Sequence, residues 1–288
     1  MKVLVTGSGG QLGRELLKQL EGTPIEAVGY DIPEFDITDK AAVEKIIVSE
    51  EPDVIISCGA MTNVDGCETS RDAAMAVNGE GPKNLAEIAR DHGMKMVHVS
   101  TDYVFDGDGI SENGELRPYV ESDPVAPRTV YGESKALGEK NVLETLKESF
   151  IIRTAWLYGD GHNFVKTMLG LAEKYPEITV VNDQIGSPTS TVDLARAIIA
   201  LMQTEAYGIY HGTCEGACSW YDFAVEIFKQ SQIEMSVKPV TSEEYVSKTP
   251  RPKYSVLENR GLSELGLNTF RPWKESLTEY LQWLKDQH

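Results

Sequence analysis

Apolar positions in the first half of the chain form short runs that alternate with stretches of helical spacing. Residues 3–6 are an apolar run that reads as a strand, and Gln11–Leu20 carries apolar residues every three or four positions, as one face of a helix requires. The alternation continues with strand at 25–30, helix at 41–49, strand at 54–58, helix at 82–91, strand at 96–99, helix at 134–146 and strand at 150–153. Strands that alternate with helices predict parallel βαβ units, and their unbroken apolar character predicts cover on both faces. After residue 154 the pattern loosens. Helical stretches appear at 164–173, 192–202, 221–229 and 273–285, with short strands at 178–181 and Gly208–His211 and a proline-containing segment at 248–254. No linker, repeat or low-complexity tract breaks the chain. The expectation is an α/β protein with a doubly wound parallel sheet over residues 1–154. A smaller C-terminal lobe, residues 155–288, is interleaved with that core.

The first strand runs into glycines. Gly7, Gly10 and Gly13 give the spacing G-x-x-G-x-x-G between a strand and a helix. A turn without side chains lets the backbone approach a pyrophosphate, and the helix then points its free N–H groups and positive dipole end at that anion. Gly13 would let the helix pack closely on the strand. Asp31 ends the next strand, at about the 20-residue distance expected of an acid on the adenine ribose. The core is therefore expected to be a Rossmann-type dinucleotide-binding domain. A carboxylate at 31 accepts from a ribose 2′-OH and repels a 2′-phosphate. Ile32 offers no compensating cation, and the nearest basic residue is Arg14. NADH is favoured, with NADPH possible. Asp36 and Ile37 either flank the adenine or form a solvated helix start.

Tyr131 and Lys135 open a later helix at i and i+4, so both project from one face. A phenol near pKa 10 is a poor acid at neutral pH unless perturbed, and a nearby ammonium favours the phenolate. Tyr131 would give its proton to a carbonyl oxygen as hydride reaches the carbon, and Lys135 could also hold the nicotinamide ribose. Thr101 follows the strand at 96–99, at the edge of a parallel sheet where ligands sit. Its hydroxyl can bond the same substrate oxygen, with Ser100 the rival.

The formal net charge is −18, which argues against nucleic acid or an anionic membrane as the main partner. No apolar stretch nears the ~18 residues of a membrane span, and the start lacks the apolar core of a signal peptide. Four cysteines in a chain this long fit a reducing cytoplasm rather than a disulfide framework. His211, Cys214 and Cys218 cluster, but their spacing fits no common zinc pattern.

Together these residues resemble the extended short-chain dehydrogenase/reductase superfamily and, within it, the dTDP-4-dehydrorhamnose reductases. The likeness spans nearly the whole chain. It is carried by the Gly10 to Gly13 turn, by 60–65, by 100–105, by 153–158, by Asn163 and Phe164, by 183–189 and by Arg251 with Pro252. The resemblance implies reduction of the 4-keto group of a nucleotide sugar, dTDP-4-dehydro-L-rhamnose, by NAD(P)H. Tyr131 is then the proton donor, Lys135 its electrostatic partner, and Thr101 tunes the site. It further implies a cofactor lining of Gly10, Gln11, Leu12, Asp31, Asp36, Ile37, Ala60, Met61 and Thr62. Thr101, Asp102 and Trp156 would meet the sugar nucleotide, and Asn163 and Arg251 its diphosphate or nucleotide. Met61 and Asn63 depart from the family's usual loop. Some members resemble magnesium-bridged dimers built on glutamates. Glu15 matches one of these, but the position near Val192 is apolar, so Mg2+ is not expected and the chain is a monomer or a homodimer. Two other activities stay open. A related epimerase or dehydratase is one, although the acidic pair of a dehydratase is missing at Asp102 and Tyr103. A dinucleotide-sensing regulatory subunit is the other, although it would be free to lose Thr101, Tyr131 and Lys135.

Overall fold

The computed structural model describes residues 1–245 and 247–287. Six parallel strands form the central sheet: β1 (Lys2–Thr6), β2 (Glu26–Tyr30), β3 (Val54–Ser57), β4 (Lys95–Thr101), β5 (Ser149–Thr154) and β6 (Gly208–His211). Their order is β2-β1-β3-β4-β5-β6. The chain leaves β1 in one direction and returns past it to β3. This makes a topological switch point at the carboxyl ends of β1 and β3, where open α/β sheets bind ligands.

Alternation along the strands explains the layers. Val3, Val5, Val54, Ile56, Val97, Phe150 and Ile152 face one way. There they meet α1 (Gln11–Leu20) through Leu12, Leu16 and Leu20. The intervening Leu4, Ile55, Met96 and Ile151 face the other way. They pack on α2 (Lys40–Glu50), α3 (Gly81–His92) and α4 (Val130–Thr145) through Val43, Ile47, Leu85, Ile88 and Val142. Every β1, β3 and β5 residue between Val3 and Ile152 in these sets is buried on a covered face, so the strands read as apolar runs. A further helix, α5 (Thr191–Leu201), packs beside α1.

The α/β reading with its doubly wound parallel sheet describes this architecture. Three features differ in detail. The strand at Gly208–His211 is not part of a separate lobe: it pairs with β5 and completes the main sheet. The helix expected from Pro82 begins earlier. Residues Arg71–Met75 are helical, Ala76–Glu80 form a π-helical turn, and α3 follows without a break. Pro82 has no N–H to give the carbonyl of Asn78, so the ladder widens there. Finally, Ser236–Val240 pairs in parallel with Glu177–Val181 in a small separate sheet. Its alternation is too weak to read, because its residues are mostly exposed.

Candidate active site

At the end of β1 the chain turns through Gly7 at φ +64°. A Cβ there would lie 2.7 Å from the Gly59 amide nitrogen, because the turn passes directly over the end of β3. A Cβ on Gly13 would lie 2.3 Å from the Gly7 carbonyl oxygen. Gly13→Ala is expected to cost about 1–3 kcal/mol of stability in a urea titration, because the helix cannot move off the turn without losing its packing. A cost below ~0.5 kcal/mol would show that the contact relaxes freely.

The first turn of α1 carries no side-chain cap. By contrast, α2, α4 and α5 are capped by Asp39, Thr129 and Ser190. The free amides at α1 are the donor set a dinucleotide diphosphate requires. Gln11 and Leu12 do not face this opening equally. Leu12 is buried in the core, and the Gln11 amide oxygen accepts from Gly159 N at 2.9 Å.

Asp31 lies at the far side of the turn. Its Oδ2 accepts from Gly9 N at 2.8 Å and its Oδ1 from Ile32 N at 2.8 Å. Arg14 donates to the Gly9 carbonyl and pairs with Asp160, Nε to Oδ2 at 3.1 Å. Arg14, beside the turn, is thus already matched to a carboxylate. Asp36 is exposed and bonds Thr38, while Ile37 is buried against Gly81.

The loop after β3 carries Ala60, Met61 and the exposed Thr62. Asn78 ties it down, accepting from Met61 N at 2.8 Å and donating to Met61 O at 2.9 Å. Asn78 also donates to Ser134 Oγ at 3.0 Å and so links this loop to α4. Asn78 escapes a reading by motif. The signal was Pro82 inside a helical run, which marks the π-helical turn that presents the side chain.

Helix α4 starts at the Thr129 cap, whose Oγ accepts from Gly132 N at 3.0 Å. It carries Tyr131 and Lys135 against the carboxyl end of β4. Lys135 is buried. Its Nζ donates to Val99 O at 2.7 Å and lies 3.4 Å from His98 Nε2. Burial lowers its pKa to about 8, against the pull of Glu139. The same burial, with Lys135 beside it, drives His98 far below the usual imidazole range.

The Tyr131 phenol behaves differently from the expectation. Burial pushes its pKa well up, opposed by the Thr101 hydroxyl, and Asp102 raises it further. Lys135 is spent on β4 rather than on the phenol, so in the free protein the proton stays on oxygen. Thr101 donates to Asp102 Oδ1 at 2.9 Å. Asp102 is buried and its pKa rises to about 6 through desolvation. Its Oδ2 has no hydrogen-bond partner among the described residues. Ser100 points the opposite way from Thr101 along the strand, and its hydroxyl donates to Glu139 instead.

Tyr103 stands edge-on to Tyr131, with ring centroids 5.4 Å apart at 72°. Arg251 reaches the Tyr103 hydroxyl at 3.4 Å and pairs with Asp65 at 3.1 Å, at the mouth of the same region. Trp156, at φ +48°, stacks on Trp220 with centroids 3.5 Å apart at 8°. Asn163 is placed elsewhere. It caps the helix Phe164–Ala172, and its amide donates to Gly159 O at 2.7 Å and Tyr280 Oη at 2.8 Å. Both N–H groups of the buried amide are thus engaged within the protein.

His211, Cys214 and Cys218 are each engaged separately. His211 Nδ1 meets Glu258 O, Cys214 lies against Asp193 and Ser276, and Cys218 pairs in a strand with Gly186. Glu15 accepts from Gln19, which also bonds the Val192 carbonyl. Among the described residues no group of three or more His, Cys, Asp or Glu is gathered to hold a metal. No helix there is long and apolar enough to cross a membrane.

The comparisons with known proteins agree over almost the full length. The RmlD substrate binding domain family matches residues 1–285. The spore coat polysaccharide biosynthesis protein SpsK of Bacillus subtilis is 48% identical, over 98% of this chain and 97% of the relative. The crystal structure of a dTDP-4-dehydrorhamnose reductase from Clostridium acetobutylicum superposes with a TM-score of 0.95 at 48% identity, covering 99% of this chain and 100% of the other. That of the dTDP-4-dehydrorhamnose reductase from Bacillus anthracis, in complex with NADP, gives 0.93 at 40% identity, covering 98% and 99%. By sequence and by fold, the chain belongs to the RmlD substrate-binding-domain family, the family of the dTDP-4-dehydrorhamnose reductases.

Proposed function

We propose that the protein reduces the 4-keto group of dTDP-4-dehydro-L-rhamnose to give dTDP-L-rhamnose. The observation that carries this reading is the convergence of Tyr131, Lys135, Thr101 and Asp102 at the carboxyl edge of β4, next to an uncapped helix and its glycine turn. A nicotinamide cofactor bound there supplies the hydride. Tyr131 holds a proton at its phenol oxygen, because burial keeps the neutral form favoured, and donates it to the keto oxygen. Thr101 orients that oxygen, and the unpartnered Oδ2 of Asp102 accepts from a sugar hydroxyl. Lys135 offers its charge to the cofactor ribose and to the phenolate left after transfer. Arg251 exchanges Asp65 for the substrate's diphosphate, and the exposed edge of Trp156 borders the sugar. The test is NADH or NADPH consumption with dTDP-4-dehydro-L-rhamnose as substrate. Consumption no faster than with the sugar nucleotide omitted would overturn the reading.

Asp31 sets the cofactor preference in this reading. Its carboxylate stands across the glycine turn on the Gly9 amide, where a cofactor ribose would lie, and Arg14 is paired with Asp160. NADH is therefore expected to bind more tightly than NADPH. Asp31→Asn is expected to narrow that gap about tenfold, measured as the ratio of the two dissociation constants by protein fluorescence. An unchanged ratio would show that the carboxylate does not decide. The resemblance to a relative solved with NADP makes this a sharp test.

A further inference from the structure

Helix α4 bears a third polar residue in line with Tyr131 and Lys135, at the next i+4 step. This is Glu139, 4% exposed and two turns below the phenol. Arg153 from β5, 2% exposed, grips it with one edge of its guanidinium, Nε to Oε1 at 2.9 Å and Nη2 to Oε2 at 2.7 Å. Ser100 from β4 donates to the same Oε1. The neighbouring residue, Val99, holds Lys135 Nζ through its carbonyl. Two successive positions of β4 thus anchor two successive turns of α4, one through a lysine and one through a glutamate.

We propose that Glu139, fixed by Arg153 and Ser100, is a positioning residue for Lys135: it keeps that buried side chain protonated and seated at the cofactor edge of the site. The proposal rests on the reading of Lys135 as a cofactor-facing cation. The groups around Lys135 leave this task to Glu139. From β4 comes His98, held neutral. After β3 comes the Cys58 thiol, pushed up to about 12 and so uncharged near neutral pH. Tyr131, on the same helix, keeps its proton. Glu139 is the carboxylate whose attraction opposes the desolvation of the ammonium. Arg153 moderates that attraction. His211 of β6, which faces Arg153, is held neutral with its pKa down at about 3 and adds no charge.

A buried ion pair this well made could serve folding alone, so the test must read something that folding does not move. That readout is the pH dependence of NADH affinity, followed by protein fluorescence between pH 6 and 10, with NADPH in parallel. Wild type is expected to lose affinity as Lys135 deprotonates, around pH 8, and Lys135→Met to show no such midpoint. Glu139→Gln keeps the volume and, through its one oxygen, the bonds from Arg153 Nε and Ser100, but it loses the acceptor for Arg153 Nη2 and removes the charge. Its midpoint is expected to fall by about one pH unit, so that affinity at pH 8 drops several-fold. Glu139→Asp, which restores the charge, is expected to bring the midpoint back toward wild type. The double variant Glu139→Gln with Arg153→Met removes both members of the ion pair and strands no guanidinium, so it is expected to fold where the single variant does not. It too is expected to fall, by less. A midpoint unchanged in both the single and the double variant, while Lys135→Met abolishes it, overturns the proposal and leaves the role of Lys135 standing. A wild-type midpoint that Lys135→Met fails to remove overturns both.

Discussion

Tyr131→Phe is expected to lower kcat for reduction of dTDP-4-dehydro-L-rhamnose by about 10²- to 10⁴-fold, while the dissociation constant for NADH changes less than about twofold. The substitution removes one oxygen and little else. The ring keeps its edge-on contact with Tyr103 and its packing beside Met61, Cys67 and Val130. The phenol meets the Thr101 hydroxyl, but α4 is also fixed by Thr129, by Ser134 through Asn78, and by Lys135, so the helix stays in place without it. Because burial raises the phenol pKa, the acid form dominates across neutral pH, so the loss should be similar from pH 6 to 8. Stopped-flow measurement of the hydride step alongside steady-state turnover separates this from slow product release. Retention of a tenth or more of the wild-type rate in the hydride step would remove Tyr131 from the chemistry.

The second large effect concerns stability. Asp193 on α5 is fully buried and accepts from Arg271 Nε at 2.9 Å, Arg271 Nη2 at 3.0 Å and Ser276 Oγ at 2.6 Å. Arg271 precedes the C-terminal helix Trp273–Asp286, and Ser276 lies within it. One carboxylate therefore clamps the last helix to the core. Asp193→Ala is expected to cost about 2–3 kcal/mol in urea unfolding, because it leaves the buried Ser276 hydroxyl and Cys214 thiol without their acceptor, while the partly exposed Arg271 keeps only Glu279. Arg196 also pairs with Asp193 but is largely exposed, and Arg196→Ala is expected to cost about 0–1 kcal/mol. Similar costs for the two variants would mean that burial at Asp193 is not what makes the clamp strong.

The first half of this fold was legible because β1, β3, β4 and β5 are covered on both faces and each helix on one, which writes two distinct periods into the sequence. Gly7 and Gly13 were legible because backbone crowding leaves no room for a Cβ there. Tyr131 and Lys135 were legible as a pair but not as a balance of charges. The dominant influence on both is desolvation, which depends on what the rest of the chain packs over them. Asn78, Glu139 and Arg153 were not legible at all. Each is a polar residue whose partner lies on another element, between 14 and 56 positions away, and no local period marks such a meeting. Asn163 is ambiguous in the sequence for the same reason. A helix cap and a ligand contact use the same side chain, and only the geometry around Gly159 and Tyr280 separates them.

The late origin of β6 has a consequence for how the protein is made. Its partner β5 ends at Thr154, yet β6 begins at Gly208, so the ribosome extends the chain by more than fifty residues before the sheet can close. Throughout that interval β5 presents a bare row of amide and carbonyl groups flanked by apolar side chains, the kind of edge that recruits strands from other molecules. Completion of the sheet and docking of the C-terminal half are then a single late event in the life of the nascent chain. A chain ending before residue 208 therefore carries an open β5 edge and is expected to aggregate where the full chain stays in solution.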